Sequence, residues 1–376
     1  MIPYGKQNIL QEDIDSVIEV MNSEFLTQGP ITPKFEKELS NYCNSKYSVA
    51  VVNATSALHI ACLALDVKKG DIVWTSPISF VASSNAALYC DADVDFVDID
   101  INTYNMSVDS LEEKLIQSEK LGKLPKVVIP VHLAGQSCDM QKIFELSQKF
   151  NFKIIEDASH AIGAEYLNEK VGSCKYSDIT VFSFHPVKII TTCEGGACMT
   201  NDKSIFDKLY RLRSHGIVRN QEDMENISHG SWYYEQIDLG FNYRLNDLQS
   251  ALGLSQLKRI DKFIEQRHEV SNYYFENLKE LDNIILPYQS EHTYSSFHLF
   301  IIRVKGNNSS SRKNLFDKLR NNGIFVNIHY IPIYKHPYYS KRGYKNLENA
   351  EKYYEQAISI PIYPNLKKED LEKIKN

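Results

Sequence analysis

Between about residues 49 and 202, short apolar runs alternate with segments of helical spacing. The predicted strands are 49–53, 71–76, 94–99, 126–133, 153–157, 178–184 and 197–200, several of them almost continuously apolar. Strands buried on both faces carry that pattern, because neither face meets water. Between them, 56–65, 79–89, 108–119 and 140–149 repeat apolar residues with a helical period. The alternation predicts an α/β fold: a central, mostly parallel, seven-stranded sheet covered by helices. Ligands then gather at the carboxyl ends of the strands.

From Leu245 the period lengthens. Leu248, Leu252, Leu257, Ile260 and Ile264 recur at helical spacing, predicting one long amphipathic helix that reaches 273–278. The rest reads as a smaller C-terminal α+β domain. A strand at 297–304 is followed by a helix at 312–321 stopped by Gly323, a strand at 324–333, and a helix at 348–358. The expected division is a large domain over 12–247 and a small one over 248–376, with 1–11 packing near the small one.

Composition narrows the function classes. The chain has 376 residues, 43% hydrophobic and 24% charged, enough for a substantial core in two units. Its net charge is -6 and no Lys/Arg-rich run occurs, which argues against a nucleic-acid partner. No signal pattern opens the chain and no apolar stretch has the length of a membrane span. A cytoplasmic protein without a membrane partner is expected. The seven cysteines are scattered without a CxxC pair and read as reduced thiols. The eleven histidines show no ligand spacing, so no metal site is expected.

The candidate chemistry centres on Lys188. It follows the aromatic-rich strand Phe182-Ser183-Phe184 and precedes Thr191-Thr192-Cys193-Glu194-Gly195-Gly196. Asp157 ends the apolar run 153–156. Alone, Asp157 reads as a capping carboxylate and Lys188 as a surface lysine. Together, a carboxylate, a hydroxyl and a lysine at these offsets suit pyridoxal phosphate. Its aldehyde needs an amine, its ring nitrogen an acid partner and its phosphate hydrogen-bond donors. Ser183 offers a hydroxyl. Thr55 or Ser56 caps a helix whose free N–H groups would seat a phosphate. Phe80 either stacks on the ring or packs in the core. His160 is a candidate for the ring face or its phenolic oxygen. Asn242 and Arg244 lie in a polar loop and could reach anions.

These blocks, at 53–58, 77–83, 156–164, 181–200 and 240–246, resemble the DegT/DnrJ/EryC1/StrS family of nucleotide-sugar aminotransferases. Those enzymes have the aspartate-aminotransferase-like, type I fold of PLP-dependent transferases. Residues 25–30, 184–188 and 327–334 resemble the branch of the family that serves pseudaminic acid formation. That branch transfers the amino group of L-glutamate, leaving 2-oxoglutarate, to C4 of a UDP-linked 2-acetamido-2,6-dideoxy-4-keto-hexose of L-arabino configuration.

The resemblance implies Lys188 as the catalytic amine and pyridoxal 5′-phosphate, alternating with pyridoxamine 5′-phosphate, as cofactor. It implies cofactor contacts from Thr55, Ser56, Phe80, Asp157, His160, Ser183 and Asn242. It also implies a homodimer in which Asn242 reaches the neighbour's phosphate. Sugar-nucleotide contacts would fall at Tyr4, Glu24, Phe25, Leu26, Thr27, His329 and Tyr330. Cys193 departs from the family, which carries Gly or another small residue there. Another 4-keto nucleotide sugar, or a non-catalytic cofactor-binding regulator, are the rival readings; the absence of a basic face speaks against the latter.

Overall fold

The computed structural model describes residues 1–306 and 309–375. Seven strands form the large sheet: β1 (Tyr47–Val51), β2 (Ile72–Thr75), β3 (Asp93–Phe96), β4 (Val127–Ile129), β5 (Lys153–Asp157), β6 (Ile179–Ser183) and β7 (Gly196–Thr200). Their order is β1-β7-β6-β5-β4-β2-β3. Only β7 runs antiparallel to its neighbours, β1 and β6. The seven-stranded, mostly parallel sheet of the type I fold is therefore present.

Side-chain alternation sorts each strand's residues between two helical layers. Val49, Val73, Ile155 and Val181 pack with α3 (Ala54–Ala64), α4 (Ala82–Tyr89) and α7 (Lys203–Leu212). On the other face, Trp74, Val128 and Ile154 pack with α5 (Val108–Lys120) and α6 (Met140–Phe150). Ala50, Phe182 and Ala197 share that face with α2 (Ile31–Cys43). Among the described residues no helix is long and apolar enough to cross a membrane.

The predicted single helix after Leu245 is two helices, α8 (Asp247–Leu257) and α9 (Ile260–Leu278). The chain bends at Lys258 and Arg259. There the Arg259 guanidinium donates to both carboxylate oxygens of Asp13, at 2.7 Å each, on α1 (Gln11–Met21). Both bonds leave one guanidinium nitrogen, and this charge-assisted contact ties α1 to the bend. Ile260, Phe263 and Ile264 belong to the large-sheet core, whereas Val270, Tyr274 and Leu278 belong to the small-sheet core. The change from one core to the other thus falls within α9.

The small sheet contains β8 (Ile284–Ile285), β9 (Phe300–Val304) and β10 (Ala357–Ile360), in that order and antiparallel. Two expectations fail here. The helix 348–358 ends at Gln356, and its apolar tail becomes β10, because Ile358 and Ile360 complete the small core against Phe300 and Ile302. The strand 324–333 is not formed. Only Ile324 and Asn327 make isolated bridges, to Ile2 and Ser359, and the segment beyond them turns into the cleft. The N-terminal segment lies against this unit: Ile2 N–H donates to the Gly323 carbonyl at 2.9 Å and the Ile2 carbonyl accepts from Phe325 N–H at 2.8 Å.

Candidate active site

The carboxyl ends of β1, β5 and β6 open into a cleft of about 590 Å³. Its far wall is built by Tyr4, His298 and 327–330 from the smaller unit. Thr55, Phe80, Asp157, His160, Ser183 and Lys188 all line it, as do Tyr4, His329 and Tyr330. The charged residues in the lining are Asp157, Lys188 and Glu194.

Asp157 is buried at the end of β5, and its carboxylate is held on both oxygens. Ser83 Oγ donates to Oδ2 at 2.6 Å; Ser159 donates to Oδ1 from Oγ at 2.6 Å and from its N–H at 3.1 Å. The adjacent Glu156 points to the other face of the sheet, where His132 Nε2 lies 2.7 Å from its Oε2. Strand alternation separates the two carboxylates, so only Asp157 is offered to the cleft.

Lys188 lies in the loop after β6. Burial pulls its ammonium down to about 8, against the opposing pull of Asp157. An amine so placed is a nucleophile and proton carrier near neutral pH. Four imidazoles, of His160, His185, His298 and His329, line the cleft with it, and burial lowers each. His160 is held well below its ordinary value, with Lys188 and then His329 adding to the effect; His329 is pulled down to about 3, first by burial and then by Lys188. His298 behaves like His160.

Hydrogen bonds set the tautomers. Ala134 N–H donates to His160 Nδ1 at 3.3 Å, so the ring's proton is on Nε2, which donates to Tyr330 Oη at 3.2 Å. The Tyr330 hydroxyl hydrogen is thereby free for a ligand. His329 Nδ1 lies 2.8 Å from Ser359 Oγ. Phe80 is 60% exposed, an unusual state for a phenylalanine, and lines the cleft with its ring 6.3 Å from that of Tyr330.

The helix cap differs from expectation. Asn53 caps α3, its Oδ1 accepting the Ser56 N–H at 2.8 Å. Thr55 therefore stays free for a ligand, whereas Ser56 is buried outside the cleft lining. The N–H groups of Ala54 and Thr55 find no acceptor among the described residues and open into the cleft. Gly196 permits this arrangement: a Cβ there would stand 2.7 Å from Ala54 N. Cys193 adopts a left-handed backbone, φ 65°, which explains why a glycine suits that position.

The structure does not bring every expected residue together. Asn242 is exposed on a strand-like bridge to Ser214 and is absent from the cleft wall. Glu24, Phe25, Leu26 and Thr27 are also exposed and lie outside it. Conversely, Ser83, Ser159, Glu194 and His298 belong to the site and were missed. Ser83 and Ser159 flank residues already singled out, so spacing offered a signal. His298 sits alone before an apolar strand and offered none.

The family profile described as the DegT/DnrJ/EryC1/StrS aminotransferase family matches residues 7–376. The chain is 38% identical to the UDP-4-amino-4,6-dideoxy-N-acetyl-beta-L-altrosamine transaminase of Campylobacter jejuni, over 100% of this chain and 96% of that protein. Among solved structures, Helicobacter pylori PseC, an aminotransferase of pseudaminic acid biosynthesis, superposes with a TM-score of 0.91 at 32% identity, covering 100% of this chain and 97% of that one. The sugar aminotransferase Spr1654 of Streptococcus pneumoniae, solved in PMP and PLP forms, superposes at 0.90 and 0.89 with 28% identity, over 100% of this chain and 97% or 96% of that one. With a family match along almost its whole length and a lysine cleft in the type I fold, the chain belongs to the DegT/DnrJ/EryC1/StrS aminotransferase family and is a sugar aminotransferase.

Proposed function

We propose that the protein moves the amino group of L-glutamate to C4 of UDP-2-acetamido-2,6-dideoxy-β-L-arabino-hexos-4-ulose. The products are UDP-4-amino-4,6-dideoxy-N-acetyl-β-L-altrosamine and 2-oxoglutarate. The observation that carries the chemistry is the single cleft joining the Lys188 amine, the Asp157 carboxylate and the free N–H groups of α3. Full-length similarity to the Campylobacter jejuni transaminase supports the choice of sugar.

Those residues fit pyridoxal 5′-phosphate. The buried, doubly held Asp157 suits a protonated ring nitrogen, and the unpaired N–H groups of Ala54 and Thr55, with Ser183, suit a phosphate. When bound, that group supplies an electron sink for the carbon bearing the amine. Lys188 Nζ takes the proton from the α-carbon of glutamate and returns one to C4 of the sugar. Asp157 stays oriented towards the ring nitrogen, because Ser83 and Ser159 fix both its oxygens. Phe80 and His160 flank the ring, and Tyr4, His329 and Tyr330 contact the sugar nucleotide.

We assign a homodimer. Leu10, Ile14, Ile18 and Met21 leave an apolar stripe exposed along α1, continued by Phe25 and Leu26. A second copy covering it accounts for that exposure. Glu24, Thr27 and Asn242, remote from their own chain's cleft, then serve the partner's cleft. Light scattering is expected to give a dimer.

The test is a panel of UDP-, GDP- and dTDP-linked 4-keto sugars with glutamate, read by product mass. The UDP-L-arabino-hexos-4-ulose is expected to show the highest kcat/KM. A better acceptor elsewhere in the panel overturns the sugar alone. Turnover by Lys188→Ala at the wild-type rate overturns the chemistry.

A further inference from the structure

We propose that His298 is the residue that receives the carboxylate of the amino donor. This rests on the glutamate-dependent reading above and adds a residue to it. His298 lines the cleft yet is only 5% exposed. Its Nδ1 is fully enclosed without a partner, and neither ring nitrogen makes a hydrogen bond among the described residues. Buried polar groups are nearly always paired; Nδ1 is sealed off, so the unpaired Nε2 is the nitrogen left for a ligand in the cleft to complete.

The backbone that carries the ring is held in place. Arg267 of α9, 1% exposed, donates from one guanidinium nitrogen to the carbonyls of Phe297, His298 and Ile362 at 3.1, 3.3 and 3.1 Å. Ser296 Oγ donates to the His160 carbonyl at 2.9 Å. The His160 and His298 rings stand 4.4 Å apart. Such second-layer support keeps a binding group in one orientation.

The cations that act on His298, Lys188 and Arg267, favour an anion beside it, although the cleft lining as a whole sets Asp157 and Glu194 against Lys188. No carboxylate pairs with Arg267 among the described residues, and burial alone pulls its pKa down to about 9. The charged or titratable groups acting on His298 are His160, Lys188, Arg267 and His329, each of which opposes its protonation. Among the described residues no arginine lines the cleft, and Asp157 is held by Ser83 and Ser159. A donor carboxylate beside His298 supplies the missing negative charge. The neutral imidazole donates its Nε2–H to that carboxylate, a charge-assisted hydrogen bond. The keto sugar carries no carboxylate, so the two half-reactions depend on His298 differently.

The experiment uses holoenzyme of wild type, His298→Asn and His298→Gln. Single-turnover absorbance follows the glutamate half-reaction, then the sugar half-reaction from the pyridoxamine form. The apparent Kd for glutamate is expected to rise roughly 10- to 100-fold in both variants, the range of a lost charged hydrogen bond. The sugar half-reaction is expected to hold, which also shows that the variants fold. Calorimetry with glutarate, a dicarboxylate without an amine, should show binding in wild type and roughly 10- to 100-fold weaker binding in the variants. Wild-type glutamate and glutarate binding in the variants, or an equal loss in both half-reactions, overturns the assignment. A wild-type protein inert to glutamate overturns the donor reading itself.

Discussion

The Ser83 hydroxyl donates to Asp157 Oδ2 across 2.6 Å, tying the first turn of α4 to the end of β5. The carboxylate that faces the cleft is thus oriented from a second element, and its position depends on the start of α4 as well as on its own strand. Ser83→Ala removes one of three hydrogen bonds to a charged group, each contributing about 1.5–3 kcal/mol. We expect kcat to fall roughly 10-fold, corresponding to about 1.4 kcal/mol in the barrier. Asp157→Ala should cost far more. An unchanged kcat in Ser83→Ala would mean that Ser159 alone orients the carboxylate.

The second expectation concerns pH. The folded-state pKa of Lys188, about 8, lies below its ordinary value of 10.5. Between those two values the unfolded chain binds the extra proton, so Lys188 makes cofactor-free protein more stable as pH rises through that window. Below the window Lys188 is charged in both states, and its burial costs most. The rate at which cofactor-free protein recaptures pyridoxal phosphate should therefore rise through an inflection near 8. Asp157→Asn should move that inflection lower, because the lost negative charge had favoured the ammonium. An inflection at the ordinary lysine value, or an upward move, contradicts the account.

Gly196→Ala tests the seat at the start of α3. The new Cβ would stand 2.7 Å from both Ala54 N and the Asn53 carbonyl carbon, which are backbone atoms and cannot rotate away. Overpacking of this kind costs about 1–3 kcal/mol. We expect a lower thermal midpoint and weaker cofactor retention on dialysis, while the far-ultraviolet dichroism stays native. Full retention would show that the free N–H groups of α3 do not depend on that close approach.

Tyr330→Phe isolates the hydrogen freed by His160. Because His160 Nε2 already donates to the phenol oxygen, removing the hydroxyl deletes a donor to the ligand and orphans the imidazole N–H. At about 1 kcal/mol per bond, KM for the keto sugar should rise roughly 5- to 10-fold. The glutamate half-reaction should change less. An equal change in both would place Tyr330 on the cofactor instead of the sugar.

Much of the site was legible because its groups are near one another in sequence. Ser183 and Lys188 flank one loop, and Asp157, Ser159 and His160 follow one strand. His298 was not legible. It is distant in sequence and surrounded by apolar neighbours, and only packing shows that its ring nitrogens are unpaired. The Asn53 cap escaped because Thr55 and Ser56 cap helices equally well by residue type. The extended φ of -168° at Asn53 decides between them. The helices α1, α2 and α7 also went unassigned, since they lie outside the regular alternation.

Local chemistry in the sequence determined the α/β class, the seven strands of the large sheet and the run of residues around Lys188. Period-two and period-3.6 burial is a property of neighbouring residues, and it survives without knowledge of the fold. Tertiary structure alone decided where the helix after Leu245 breaks, that 357–360 pairs as a strand, and which histidines surround the lysine. It also decided that Asn242 and 24–27 stand outside their own chain's cleft. Each of these depends on what lies across a core or a cleft, and pairing at that range depends on residues far apart in the chain.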